Sequence, residues 1–331
     1  MRFLYKKLIF LFFLHIIIWV IFVIKRFSLK KISRYTVLLL VVFLFYLFPK
    51  KEIYQLNIPV SNNVDAYHHD VFLLDKNNYV AKTTIDVSSD ETNKLIDELI
   101  EIMTIDGKYQ DKIPNGFTPL LPVDTKLLNK EIKDDLLILN FNNEILQTKK
   151  EQEEKIIEAL IYTMTSIDKI NQIQIKVEDK VLNKLPKSGL SLNNPLKRDY
   201  GINKIYDITG IKNINKVIIY YTSKTNDDFT YYIPVTKYIN NKTDKIKIII
   251  DELTSKISYE TNLMSYLNYN AKLLDYSFND DEIDLNFNEY LYDNNHDKKV
   301  LEEVIYTISY SIKDNYNIDK INFYVNNQQI K

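Results

Sequence analysis

The residues whose types and spacing could do chemistry are few. They are the adjacent pair His68-His69, the acidic pairs Asp134-Asp135 and Asp280-Asp281, and the tyrosines Tyr162 and Tyr306 in two similar stretches. His68-His69 could give a metal two ligands, yet neighbours on an extended chain point to opposite faces, and a solvated pair is the plainer reading. His15 sits in an apolar run as a tolerated polar residue, and His296 is isolated. Paired carboxylates serve acid–base catalysis, but between two strands Asp-Asp is ordinarily a hairpin turn, since Asp tolerates the left-handed conformation. Tyr162 and Tyr306 would be a shared binding feature or, more simply, core-edge tyrosines whose hydroxyls reach water. Tyr220-Tyr221 and Tyr231-Tyr232 offer an aromatic surface suited to protein or glycan contact. There is no cysteine, which removes disulfides, thiolate metal sites, a cysteine nucleophile and a lipid-modified cysteine from this sequence. No Gly-rich phosphate loop and no Gly-x-Ser-x-Gly elbow occurs. The expectation is a chain with no catalytic, cofactor-binding or metal-binding residues, and not an enzyme.

The elements around these residues begin with a charge asymmetry. The formal net charge is −1, but residues 1–51 hold ten Lys or Arg and no acid, leaving 33 of the 43 basic residues against all 44 acidic ones. Phosphate binding needs clustered Lys and Arg, so an acidic remainder predicts no nucleic-acid partner. Residues 8–24 form a 17-residue apolar run broken by His15, ~26 Å long as a helix. Residues 35–48 form a second, ~21 Å long, against a hydrocarbon core about 30 Å thick. Five positive charges lie in the ten residues between them. Either both runs span as a hairpin with the basic loop in the cytoplasm, or one spans as a signal anchor. Both readings place the remainder outside when the run after the basic loop is the spanning one. No small-x-small cleavage site follows either run. Residues 1–51 are therefore expected to be a membrane anchor.

The remainder reads as a doubled module. An amphipathic stretch with Ile157, Leu160, Ile161 and Met164 in one stripe returns 144 residues later as Leu301, Val304, Ile305 and Ile308. Lys126-Leu127-Leu128, Asp134-Asp135 and Leu139-Asn140-Phe141-Asn142 return 146 residues later as Lys272-Leu273-Leu274, Asp280-Asp281 and Leu285-Asn286-Phe287-Asn288. Val71 to Leu74 and Val217 to Tyr221 read as first strands, and Ile246 to Leu253 matches the helix carrying Ile96 and Leu99. Ser88 with Glu91, and Thr148 with Glu151, offer capping boxes. Ile173 to Val177 and Ile321 to Val325 alternate as edge-type closing strands. Several matches at nearly one offset establish an internal duplication. Asn183 to Lys216 holds three of the five glycines and reads as linker. The boundaries expected are 52–183 for the first module, 184–213 for the linker and 214–331 for the second.

This order of strand, helix, loop, Lys-Leu-Leu strand, Asn-Phe-Asn strand and Tyr-Thr helix resembles the GerMN domain of sporulation and spore germination proteins. The family's proline-x-glycine-threonine loop corresponds to Pro122-Val123-Asp124-Thr125, with Asp124 where glycine is usual, and the second copy reads Asn268-Tyr269-Asn270-Ala271 instead. The resemblance covers roughly residues 65–183 and 214–331. It implies an α+β fold of two tandem repeats like the ring-building motifs of sporulation and secretion channels, and a non-enzymatic role in extracytoplasmic assembly. The expected function is a membrane-tethered protein mediating protein–protein assembly at the bacterial cell envelope, with extracytoplasmic protein partners and an oligomer allowed. The alternative is an extracytoplasmic cell-wall enzyme or ligand-binding sensor.

Overall fold

The computed structural model describes residues 67–255, 262–293, 298–316, 318 and 320–330. The apolar runs at 8–24 and 35–48, with His15 and His296, lie outside these residues. Among the described helices none is long and apolar enough to cross a membrane. The architecture is mixed α+β and duplicated. The first module runs β1 (Tyr67–Asp75), β2 (Val80–Val87), α1 (Thr92–Met103), β3 (Phe117–Thr118), β4 (Leu127–Lys133), β5 (Leu136–Phe141), α2 (Lys150–Met164), β6 (Gln172–Val177) and β7 (Lys180–Val181). A short β8 (Ile205–Asp207) follows. The second module repeats the plan as β9 (Ile214–Lys224), β10 (Thr230–Asn240), α3 (Lys245–Thr254), β11 (Leu273–Asn279), β12 (Glu282–Phe287), α4 (Glu302–Tyr316), β13 (Lys320–Val325) and β14 (Gln328–Gln329).

Each module closes its own four-stranded sheet, in the order β4-β5-β6-β7 and β11-β12-β13-β14. β5 pairs parallel with β6, and β12 with β13. A parallel pair needs a long crossover, and α2 and α4 supply it. That is why β5 is an almost unbroken apolar run, Leu136 to Phe141, with five of its six residues buried. The Asp pairs are the expected hairpin turns, with Asp134 and Asp280 left-handed at φ 54° and 51°. Asp124 is also left-handed, at φ 63°, where the family's glycine would stand, and Thr125 N–H closes the turn on Pro122 O. Ala271 N–H closes on Asn268 O at the matching place, so the second copy keeps the turn without the motif.

The Asn-Phe-Asn motif works as a clasp in both copies. Phe141 and Phe287 are fully buried. Asn142 accepts from Lys126 N–H and donates to Asp124 O, and Asn288 does the same with Lys272 and Asn270. Asn140 and Asn286 each donate to and accept from the turn after the next strand, at Asp179 and Asn327.

Four expectations change. The helix of Leu95 and Leu99 starts at Thr92 with no side-chain cap, because Ser88 instead gives its N–H and hydroxyl to the Glu98 carboxylate. α2 likewise starts at Lys150 without a cap from Thr148. Neither closing strand is the edge of its sheet, since β5 and β7 flank β6 and β12 and β14 flank β13, and Leu196 also bridges to Ile173. The helix equivalence moves by one turn. Phe72 N–H donates to Thr163 Oγ1 and Tyr220 N–H to Ser311 Oγ, and the ring pairs Phe72–Tyr162 and Tyr220–Tyr310 match, all 148 residues apart. Leu160 is thus matched by Ile308, Met164 by Ile312 and Tyr162 by Tyr310. Ile308 is fully buried, whereas Ile305 is half-buried and Tyr306 is 41% exposed.

The two modules share a third sheet, ordered β3-β1-β2-β10-β8 with β9 also on β10. The joint is the antiparallel pair Lys82↔Tyr232. Two residues along, Val80 comes opposite Pro234, which has no N–H to donate. Asn203 fills the missing rung. Its side-chain oxygen accepts from Val80 N–H at 2.9 Å, and its amide donates to Val80 O and Pro234 O at 2.8 Å each. Further along the same edge of β10, Thr236 and Ile202 exchange bonds, and β8 pairs parallel with Lys237 to Ile239. Gly201, at φ +88°, makes that approach possible, because a Cβ there would stand 3.1 Å from Thr236 Oγ1. Much of the stretch 184–213 is therefore packed, with Leu185, Leu192, Leu196 and Ile202 buried.

Asn203→Ala leaves three buried backbone groups without partners, and should lower stability by about 2–4 kcal/mol in denaturant melts. Ile308→Asp should unfold the second module, at a cost of ~4 kcal/mol or more, while Ile305→Asp should cost less than ~2 kcal/mol. Equal losses for the two isoleucines would restore the other helix alignment.

Candidate functional site

The chemically capable residues named from sequence do not converge. His68 pairs with Asp86 at 2.7 Å with both side chains more than half exposed, and His69 Nδ1 lies against Asp70 O. Among the described residues no three His, Asp or Glu side chains group as metal ligands. Tyr220, Tyr221 and Tyr231 are buried, so only Tyr232 of those pairs reaches the surface in part.

The polar chemistry gathers at the joint between modules, in two clusters. In the first, Arg198 donates to Asp314 of α4 at 2.6 Å and to Thr165 Oγ1 at 2.9 Å, and stacks 4.8 Å from the Tyr162 ring centre. Tyr162 hydroxyl donates to Arg198 O, and Tyr220 hydroxyl to Asp314 Oδ2 at 2.7 Å. Burial, then the Asp314 charge, holds both phenols well above their usual range, so they stay protonated donors. Nearby, Lys82 of β2 sits 3.9 Å over the Tyr310 ring, which packs with Tyr220, Tyr232 and Tyr306. Each module thus offers an aromatic pair capped by a cation from outside it.

In the second, one turn earlier on α2, a cavity of about 310 Å³ is lined by residues that include Glu154, Glu158, Lys155, Asn203, Lys204 and Tyr206. Glu158 is 3% exposed, and burial pushes its carboxyl up to about 7 against the pull of Lys204 at 3.5 Å. A carboxylate poised there has the value of a general base. Its oxygens are already engaged, by Asn203 N–H at 3.0 Å and by Lys204, which also pairs with Glu154 at 2.6 Å. These contacts make Glu158 part of the clasp on Asn203. Sequence reading missed Arg198 and Asn203 because each is a lone residue in a stretch with no repeat partner, and Glu158 because its counterpart in α4 is Tyr306, so no repeated acid marks it.

A groove of about 1310 Å³ opens on the second module between α4 and the β13–β14 hairpin. Its apolar lining includes Val300, Leu301, Ile305, Ile321, Phe323 and Ile330. In the first module the matching face is closed by residues 182–196.

Comparison with known proteins gives a consistent picture. The family model described as Germane, sporulation and spore germination, matches twice, over residues 70–183 and 218–331. The spore germination protein GerM of Bacillus subtilis (strain 168) is 28% identical over 264 residues, 78% of this chain and 71% of that protein. In structure the chain is similar to the tandem GerMN domains of the sporulation protein GerM from Bacillus subtilis, with a TM-score of 0.71 at 27% identity, over 80% of this chain and 92% of that one.

Glu158 is the group whose pH dependence tests the clasp. Its folded value lies above its ordinary 4.5, so between about 4.5 and 7 the folded state keeps a proton the unfolded chain has lost. Its contribution is then fully present below 4.5 and is lost as pH rises towards 7. Glu158→Gln should remove up to ~1.4 kcal/mol per pH unit of falling stability across that window. Parallel stability curves for wild type and variant would show that Glu158 titrates as an ordinary carboxyl.

Proposed function

This chain belongs to the Germane family of sporulation and spore germination, and on that premise we propose that it is a non-catalytic assembly module of the cell envelope. In this reading residues 8–24 and 35–48 tether it to the membrane, and the two modules work outside, binding other proteins. What supports it is the use made of the repeated polar residues. Asn140, Asn142, Asn286 and Asn288 fasten loops, and Asp134 and Asp280 turn hairpins. Glu98 and Glu252 pair with Lys112 and Lys237. Residues present in both copies are thus occupied by the fold, and what the copies offer in common is surface. That surface includes exposed apolar side chains at matching places on the sheet edges, Leu128 and Ile132 on β4 and Leu274 and Phe278 on β11. Exposed apolar edges of this kind suit protein contact. The fused sheet gives them a fixed relation, which favours a scaffold.

In-cell photocrosslinking from Leu128, Leu274, Phe278 and Tyr206, with the chain in its native membrane, should yield discrete protein adducts. A cytoplasm-only reporter fused after Lys331 should stay inactive. Uncrosslinked chain at every position, together with turnover of a cell-wall substrate by the purified protein, would replace this reading with the enzyme one.

A further inference from the structure

The cavity at the joint has groups on its walls that the clasp on Asn203 does not use. Tyr206 of β8 lines it and is 63% exposed. It pairs with Tyr238 across the β8–β10 ladder, and the two rings stack at 4.7 Å with their planes 11° apart. β8 is the last strand on that side of the shared sheet, so one face of the Tyr206 ring is backed and no strand lies over the other. Burial, then the charges of Glu154 and Glu158, raise its phenol, so the hydroxyl stays protonated within reach of those carboxylates. A single exposed tyrosine needs no explanation. A tyrosine held flat by a second ring, on the wall of a polar cavity, is a platform.

The charges inside the cavity largely answer one another. Lys204 Nζ pairs with Glu154 Oε1 at 2.6 Å, lies 3.5 Å from Glu158 Oε1, and sits 3.5 Å over the Tyr200 ring. Lys155 donates to Asn78 O, and the Asn203 side chain is taken up by Val80 and Pro234. The groups left over are acceptors. Glu154 Oε2 and both oxygens of Glu151 have no hydrogen-bond partner among the described residues. Two lysines against three carboxylates leave little net charge, so hydroxyl donors suit the site better than a cation does. The occupant must also lay a flat C–H face on Tyr206, since the face of an aromatic ring attracts the positive edges of C–H bonds. A six-membered sugar ring meets both demands, with hydroxyls that donate to carboxylates and a C–H face that stacks. At about 310 Å³ the cavity is at the small end of ligand sites, with room for about one or two such rings.

We propose that this cavity binds a neutral sugar ring, stacked on Tyr206 and hydrogen-bonded through its hydroxyls to Glu151 and Glu154. Nothing in this depends on the assembly reading, which concerns the strand edges. Glu151 is exposed and takes no part in the clasp, so it can meet a ligand without loosening the joint.

The test is calorimetric titration of the full chain, in detergent, with chitotetraose, cellotetraose and maltotetraose, three neutral chains of six-membered sugar rings. Saturable binding of at least one is expected. Tyr206→Ala should weaken it at least tenfold and Glu151→Gln at least threefold, while Tyr206→Phe, which keeps the platform, stays within threefold of wild type. Denaturant melts confirm that each variant is folded. Retention of the full chain on peptide-free glycan from bacterial walls, lost in Tyr206→Ala, would assign the ring to a polymer, and binding of the soluble probe without retention would assign it to a free saccharide. No saturable binding of any of the three probes overturns the proposal, as does binding that neither Tyr206→Ala nor Glu151→Gln weakens. Spermidine binding that depends on Tyr206 and Glu151, with no sugar bound, overturns it in favour of a cation. A protein adduct from a photocrosslinker at Tyr206, with no sugar bound in the titrations, overturns it and leaves the assembly reading standing.

Discussion

A proline in the middle of a shared sheet is the constraint on which this molecule turns. Pro234 cannot donate, and its carbonyl faces β2, so a direct ladder between the modules would break one rung past Lys82↔Tyr232. Asn203 occupies the break with a side-chain amide that has both a donor and an acceptor end, matched to Val80 N–H, Val80 O and Pro234 O. Its left-handed backbone, φ 46°, is one that Asn tolerates. Residues 198–207 must therefore reach the sheet edge, and everything else at the joint follows from that path. Arg198 arrives beside Asp314, Gly201 lies against Thr236, and Lys204 comes down on Glu154 and Glu158. The segment between the modules is the part that fuses them.

Much of this fold was legible in the sequence, and the failures have physical causes. The Lys-Leu-Leu strands, the Asp turns and the Asn-Phe-Asn strands lie where reading placed them, at an offset of 146, because strand residues have fixed partners. A one-residue slip there would turn every side chain to the wrong face. Helices are more forgiving. A shift of four residues rotates the stripe by only about 40°, so Ile157, Leu160, Ile161 and Met164 match Leu301, Val304, Ile305 and Ile308 nearly as well as they match the true counterparts. Tertiary partners break the tie: Thr163 and Ser311 each cap the same backbone N–H of their hairpins, and no stripe in the sequence carries that information. β2 and β10 were missed outright, the first because Lys82, Thr83 and Thr84 interrupt its apolar pattern, the second because Pro234 argues against a central strand. The tyrosine pairs were read as surface, although desolvated phenols with carboxylate partners, such as Tyr220 with Asp314 and Tyr231 with Asp75, are at home in a core.

The duplication is not a symmetric one, and the asymmetry has a direction. Around the joint the two copies are alike: each has an aromatic pair on its helix and first strand, each capped by a cation that comes from outside the module. Away from the joint they part. The first copy continues into a roof over α2 and β6, and places an acid, Glu153, where it can hold that roof by two backbone N–H groups. At the corresponding point the second copy has Leu301.

That exchange argues about selection of chemistry at a site more strongly than openness alone does. A buried acid without donors is costly, so Glu153 is tolerable only because Lys187 and Ser188 are beside it. Had the second copy kept the acid, its groove would need the same donors and would accept little besides the same bent roof. A leucine removes that demand and adds apolar area next to Ile305 and Ile321. Among the described residues nothing pairs with the outer side of Ile321, whereas in the first copy Leu196 exchanges backbone hydrogen bonds with Ile173. The acid and the roof it holds thus belong together, and the leucine goes with a floor on which no described residue presents backbone N–H groups.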